Sequence, residues 1–260
     1  MATDRVVAIR GGAVAFRVLS AGRGTPLVYF HSFHDREPFP PFLERLAERH
    51  TVYAPLHPGA AGSTGVETLD DLFDLTLAYE ELLDALDLDS AHLVGHFFGA
   101  MVAAEIAAVF PRRASRLTLI SPLGLWRDDA PSADVVTLPQ EDLMRALWAD
   151  PDSDAARRWA AEPADEDENA AAQIESVQRR AAMAKFVWPI PDKGLRKRLH
   201  RISAPTLVLW GDDDRVNPLS YAEEWHHRIK GAALSLRRGG HMIHQEAPDV
   251  VASAVAEFLR

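Results

Sequence analysis

No cysteine occurs among the 260 residues. Disulfides, thiolate catalysis and thiolate metal ligation are therefore excluded. No apolar run approaches the ~20 residues a membrane-spanning helix needs. Positive charge is in deficit, with 28 Lys and Arg against 38 Asp and Glu and a formal charge of −10. That balance disfavours a general role on nucleic acid or on an anionic membrane. The first residues, Met-Ala-Thr-Asp-Arg, lack the basic-then-apolar layout of a signal peptide. A cytoplasmic location is the expectation. Repeats and low-complexity linkers are also missing; the acidic stretch Pro163–Asn169 is too short to read as disordered.

The rest of the composition is ordinary for a globular chain, 47% hydrophobic and 25% charged. The length fits one sizeable α/β domain with a small insertion. Short β-branched runs alternate with helical patterns, which predicts a mostly parallel sheet of about eight strands, doubly wound with helices on both faces. Val6–Arg10 and Ala13–Leu19 read as an opening hairpin turned at Gly11-Gly12. Leu27–His31, Thr51–Leu56, the run ending at Gly95 and Arg116–Ser121 read as strands, with helices at Pro41–His50 and Leu69–Leu88. From about Leu123 to Arg198 no strand pattern appears. Helical patterns cover Pro139–Trp148 and Ala170–Phe186 there, and Trp126, Trp148, Trp159 and Trp188 are spaced through the segment. We read residues 123–198 as a helical cap inserted into a core made of residues 1–122 and 199–260. Strands resume at Thr206–Trp210 and Ala232–Arg237, and a helix from Pro248 to Leu259 ends the chain.

The densest signal is Gly95-His96-Phe97-Phe98-Gly99, between a strand pattern and the helical run Ala100–Ile106. A strand, a tight turn and a helix with glycines two before and two after a central residue resemble the nucleophile elbow of the α/β-hydrolases. That family carries serine at the centre, occasionally aspartate or cysteine; here the centre is Phe97, and a phenyl ring cannot attack a carbonyl. The resemblance runs through nearly the whole chain, including Pro58-Gly59 and Ile120-Ser121-Pro122. It looks closest to capped hydrolases of small carbonyl compounds, including carbon–carbon bond hydrolases.

The resemblance implies a site built at the C-terminal ends of the strands. Asp214, four residues before Pro218, matches the family's acid, with Asp212 and Asp213 as fallbacks. His241, after Gly239-Gly240, matches the catalytic histidine; His244 lies one step downstream. His31-Ser32-Phe33 stands where the family has His-Gly, so the backbone amides of Phe33 and Phe98 are the expected oxyanion donors. His31, Ser32, His96, Phe97 and Trp126 are the expected substrate-binding residues.

Phe97 leaves three readings open. The chain is an enzyme without a covalent intermediate, a protein that lost catalysis and kept its pocket, or a hydrolase using another nucleophile, such as Ser32, His34 or a His241-activated water. The first is the favoured expectation. His241, oriented by Asp214, would act as general base on a small, fairly apolar carbonyl compound, in elimination, cyclisation, isomerisation or carbon–carbon cleavage. His31, His34, His96, His241 and His244 form an imaginable but disfavoured metal set. No metal and no cofactor is expected, and the expected partner is a small molecule, with homo-oligomerisation open.

Overall fold

The computed structural model describes residues 3–260. Eight strands form one sheet in the order β1-β2-β4-β3-β5-β6-β7-β8. The opening hairpin, β1 (Thr3–Ile9) and β2 (Val14–Ala21), is antiparallel, and β2 pairs antiparallel with β4 (His50–Pro55). The remaining pairs are parallel: β4 with β3 (Thr25–Phe30), β3 with β5 (Ala91–His96), then β6 (Ala114–Ile120), β7 (Thr206–Gly211) and β8 (Ala233–Arg237). The expected alternation of strand and helix is thus the observed one.

Helices cover both faces and divide the core in two. On one face α2 (Leu72–Ala85) and α3 (Phe98–Val109) pack on the sheet. On the other, α1 (Pro41–Ala47) and the last helix cover Leu27, Tyr29, Val94 and Leu209. The sequence of α2 explains its form. Asp71 caps its N-terminus by accepting from the Phe73 and Asp74 amides. Leu72, Leu75, Tyr79, Leu82 and Leu83 then recur at helical spacing and are all buried. Helix α3 is buried on every side from Phe98 to Ala108. Its small residues let it lie close under the sheet's centre, and its lone acid, Glu105, is paired with Arg198 at 2.9 Å.

Between β6 and β7 the described residues contain no strand. Three helices occupy the interval: α4 (Gln140–Leu147), α5 (Asp154–Ala160) and α6 (Glu166–Val187). The C-terminal part of α6 reaches the end of β5, where Phe186 stacks on Phe98 with ring centroids 6.5 Å apart. Trp159 of α5 donates through Nε1 to the His34 carbonyl in the loop after β3. After β7 come α7 (Leu219–Arg228), then β8, the short α8 (Ile243–Glu246) and α9 (Pro248–Phe258). No helix among the described residues is long and apolar enough to cross a membrane.

The register aligns the C-terminal ends of the central strands. Phe30 pairs with Gly95, His96 with Ile120, and Ile120 with Leu209. The loops carrying His31–Asp35, Phe97, Asp214 and His241 therefore leave the sheet side by side, where ligands of open α/β sheets bind.

Candidate catalytic and ligand site

The site begins with strained backbone. Phe97 joins β5 to α3 with φ 47° and ψ −106°. A bulky residue at positive φ costs on the order of 1–3 kcal/mol and persists only where its surroundings enforce it. Two glycines let the turn close this tightly. A Cβ on Gly95 would stand 2.5 Å from the backbone of Gly99, and one on Gly99 would collide with the Phe30 carbonyl. The Phe97 amide donates to the Ile120 carbonyl at 2.9 Å, and the Phe97 carbonyl accepts from the Met101 and Leu123 amides. The strand-turn-helix read from the sequence is present, and its centre is strained.

Two of the expected residues form a dyad. His241 Nδ1 lies 2.9 Å from Asp214 Oδ2, both side chains fully buried. Asp214 Oδ1 accepts from the Val216 and Asn217 amides at 2.9 Å each, which holds the carboxylate in place. The fallback acids are committed elsewhere: Asp212 accepts from the Gly239 amide, and Asp213 pairs with Arg215. Burial lowers the His241 pKa from its ordinary value, against the pull of Asp214. A neutral ring donating from Nδ1 to Asp214 leaves a basic lone pair on Nε2. That atom is buried and meets no partner.

Phe97 packs against this ring. The Phe97 ring meets the His241 ring edge-on, with centroids 4.6 Å apart and an interplanar angle of 89°. Phe97 also lines a cavity of about 70 Å³, with Phe33, Leu123, Trp126, Val135 and Trp188 among the other walls. The lining is mostly apolar and His241 is not part of it. Of the residues expected to bind substrate, Phe97 and Trp126 line the cavity; His31, Ser32 and His96 do not. The His31 ring nitrogens face the Pro55 and Pro38 carbonyls. Ser32 Oγ is buried without a partner, as is His34 Nε2. His96 Nε2 donates to the His241 carbonyl at 3.1 Å.

A residue that sequence reasoning missed organises this region. Asp35, fully buried, accepts from Tyr29 Oη and the Ser32 amide on one oxygen, both at 2.8 Å, and from His244 Nε2 on the other at 2.9 Å. His96 Nδ1 lies 3.7 Å from the same carboxylate. Asp35 thus ties the loop after β3 to the turn that follows His241. Its sequence signal is faint, an acid in a strand-end loop, and its partner His244 is 209 residues away. Of the five histidines imagined as a metal set, only His96 and His244 converge, and they do so on Asp35, with donor atoms within 4.8 Å of one another. Burial works to raise the Asp35 carboxyl, but His244 and His96 outweigh it and hold it well below the usual carboxylate range. Burial pushes His244 down to about 4, so the pair rests as a carboxylate and a neutral imidazole.

Buried neutral histidines make a pH prediction. Burial pushes His57 down to about 3 and His92 down to about 4. Unfolding returns each to about 6.5. As pH falls below about 6.5, the unfolded chain takes up protons that the folded chain refuses, so stability drops. The fully buried His57 accounts for on the order of 3 kcal/mol of that drop across the window from about pH 6.5 to 4, and His92, reached in part by solvent, for less. Urea midpoints should fall steadily from about pH 7 to about pH 4.5; a flat profile over that range would contradict this assignment.

The fold marks the chain as an α/β scaffold with its loops gathered at the strand ends, and comparison with known families makes that specific. Residues 18–254 match the model of the Alpha/beta hydrolase family, so the chain belongs to that family. It is 31% identical, over 91% of its length, to the dihydrolipoyllysine-residue acetyltransferase component of an acetoin cleaving system from Pseudomonas putida, of which it spans 64%. It is 28% identical, over 70% of its length, to a 2-hydroxy-6-oxo-6-phenylhexa-2,4-dienoate hydrolase from Comamonas testosteroni, of which it spans 67%. Among solved structures, the hydrolase of the same name from Rhodococcus sp. strain RHA1 superposes with a TM-score of 0.79 at 20% identity, covering 100% of each chain. That likeness concerns the fold.

Proposed function

We propose that this chain is a small-molecule-binding member of its family in which the covalent acyl-transfer step is lost. Phe97 stands where the family resemblance puts the nucleophile, and the 123–198 insertion serves as the cap over the ligand. The observation that carries this reading is the edge-on contact between Phe97, which lines the cavity, and His241, which does not. A cavity of about 70 Å³ is well below the ~300–1,000 Å³ of ordinary ligand sites. The ligand is therefore compact and mostly apolar. A carbonyl group on it fits the two backbone amides, Phe33 and Phe98, assigned by resemblance as oxyanion donors. The Comamonas relative, whose name gives it an oxo-dienoate substrate, supports a carbonyl group on the ligand.

One observation favours a second reading. The Asp214–His241 pair is intact, with a neutral, unpaired Nε2. If the Phe97 ring turns aside when ligand enters, Nε2 can take a proton from the carbon next to the ligand's carbonyl. The electron pair then moves onto the carbonyl oxygen, held by the two amides as an enolate; the protonated His241 returns its proton to that oxygen or to another carbon, and the enol or its isomer leaves.

Ligand-dependent melting with small ketones and enols, followed by mass analysis of the mixtures, tests both readings. The expected result is saturable stabilisation by some compounds without conversion. Val136→Trp, which fills the cavity, should abolish it. Conversion that disappears in His241→Ala would replace the first reading by the second. Stabilisation that survives Val136→Trp unchanged would overturn both.

A further inference from the structure

Away from that site, three guanidinium groups border one groove. Arg36, from the loop after β3, meets Arg179 and Arg180 of α6 along a groove of about 390 Å³, with Gln140, Gln173 and Ser176 among its walls. The chain as a whole carries a net charge of −10. The carboxylates at hand do not neutralise it. Glu175 is also on the wall and pairs with Arg179 at 3.3 Å, but that carboxylate is half-exposed. Glu162 and the more distant Asp35 act on Arg36 and Arg179 only through space.

Each arginine is placed with donors to spare. Arg36 stacks on Trp159 with Cζ 3.9 Å from the ring centroid, and its Nη1 donates to the Trp159 carbonyl at 2.8 Å. Arg179 is buried to 7% exposure, and its Nε donates to the Phe33 carbonyl at 3.2 Å. Arg180 Nε is buried with no partner at all. A guanidinium carries five N–H donors in a rigid fork, so these three present many more donors than the protein satisfies. Burial and the neighbouring arginines push the Arg36 pKa down, and burial together with Arg180 does the same for Arg179. Like charges held together at that cost need a counter-charge from outside the chain.

We propose that this groove is a binding site for a small multivalent oxyanion, a ligand bearing phosphate or carboxylate groups, held by the guanidinium forks of Arg36, Arg179 and Arg180. Planar bidentate pairing of guanidinium with such groups supplies both the affinity and the orientation. Glutamine and serine on the walls add neutral donors. The site lies outside the apolar cavity, yet Arg179 touches it indirectly, since the carbonyl it holds belongs to Phe33, a wall of that cavity.

Isothermal titration of the full chain with inorganic phosphate, and separately with citrate, tests this at constant ionic strength set by sodium chloride. Saturable binding of either anion, with a raised melting temperature that chloride does not reproduce, is the expected result; which anion binds tells phosphoryl from carboxylate ligands. Arg180→Gln should weaken that binding at least about tenfold, since it removes one charged fork. Arg180→Lys, which keeps the charge and loses the fork, should fall between. Arg180 is only half-buried and its Nε holds no partner in the fold, so both variants should fold. Absence of saturable binding of both anions to the unmodified chain, or equal affinity in Arg180→Gln, overturns the proposal.

Discussion

A Phe97→Ser variant should become an esterase. The elbow backbone, the Asp214–His241 pair and the α3 N-terminus are all in place around that position. What the proposal says is missing is a hydroxyl next to His241 Nε2. Serine at residue 97 would supply it where the phenyl ring now packs on the imidazole. His241 could then take the hydroxyl proton as it attacks a short activated ester, the arrangement of a Ser-His-Asp triad. The variant should also gain one adduct from a phosphonylating probe, seen by mass, while the unmodified chain gains none. The change has a stability cost. Phe97 is buried to 1% exposure, and removing a core phenylalanine typically costs about 3–5 kcal/mol. Serine inherits the same positive φ, so no backbone strain is relieved; Phe97→Gly should therefore be more stable than Phe97→Ala, in contrast to an ordinary core position. A folded Phe97→Ser variant with no adduct and no esterase activity would mean that the surroundings have diverged too. A probe adduct on Ser32 of the unmodified chain would refute the loss of covalent chemistry.

Asp35→Ala should be among the most damaging single changes outside the elbow. It leaves the Tyr29 hydroxyl, the Ser32 amide and the His244 Nε2–H buried without their acceptor. Each buried donor left without an acceptor costs about 1–3 kcal/mol, so the three together take a large part of the ~5–15 kcal/mol that holds a domain folded. Asp35→Asn keeps the volume and one acceptor oxygen but turns an amide toward a donor, so it should fall between alanine and the native residue. Urea unfolding of the three proteins at neutral pH measures the order. The same substitution loosens the loop that carries Phe33, so ligand stabilisation should weaken in Asp35→Asn even at temperatures where the fold is intact. Equal stability of all three would show that the network is dispensable.

The sequence by itself determined the order of strands and helices, the strandless interval, the tight glycine-flanked turn and the acid and histidine that pair. These are local or ordered along the chain. A strand is announced by its own β-branched run, a turn by its glycines, and the Asp214–His241 pair by motifs that each follow a strand. Tertiary structure alone decided how the site is closed. Nothing near Phe97 in the chain says that its ring lies across His241, because the two are brought together only when β5 and β8 take their places in one sheet. The Asp35–His244 pair joins loops 209 residues apart, and the arginine groove joins a strand-end loop to α6. Packing settles the chemistry in each case: burial removes the charge from His241, the neighbouring His244 and His96 keep it on Asp35 against burial, and three guanidiniums are left short of partners; burial and neighbours are properties of the packed chain rather than of any segment of it.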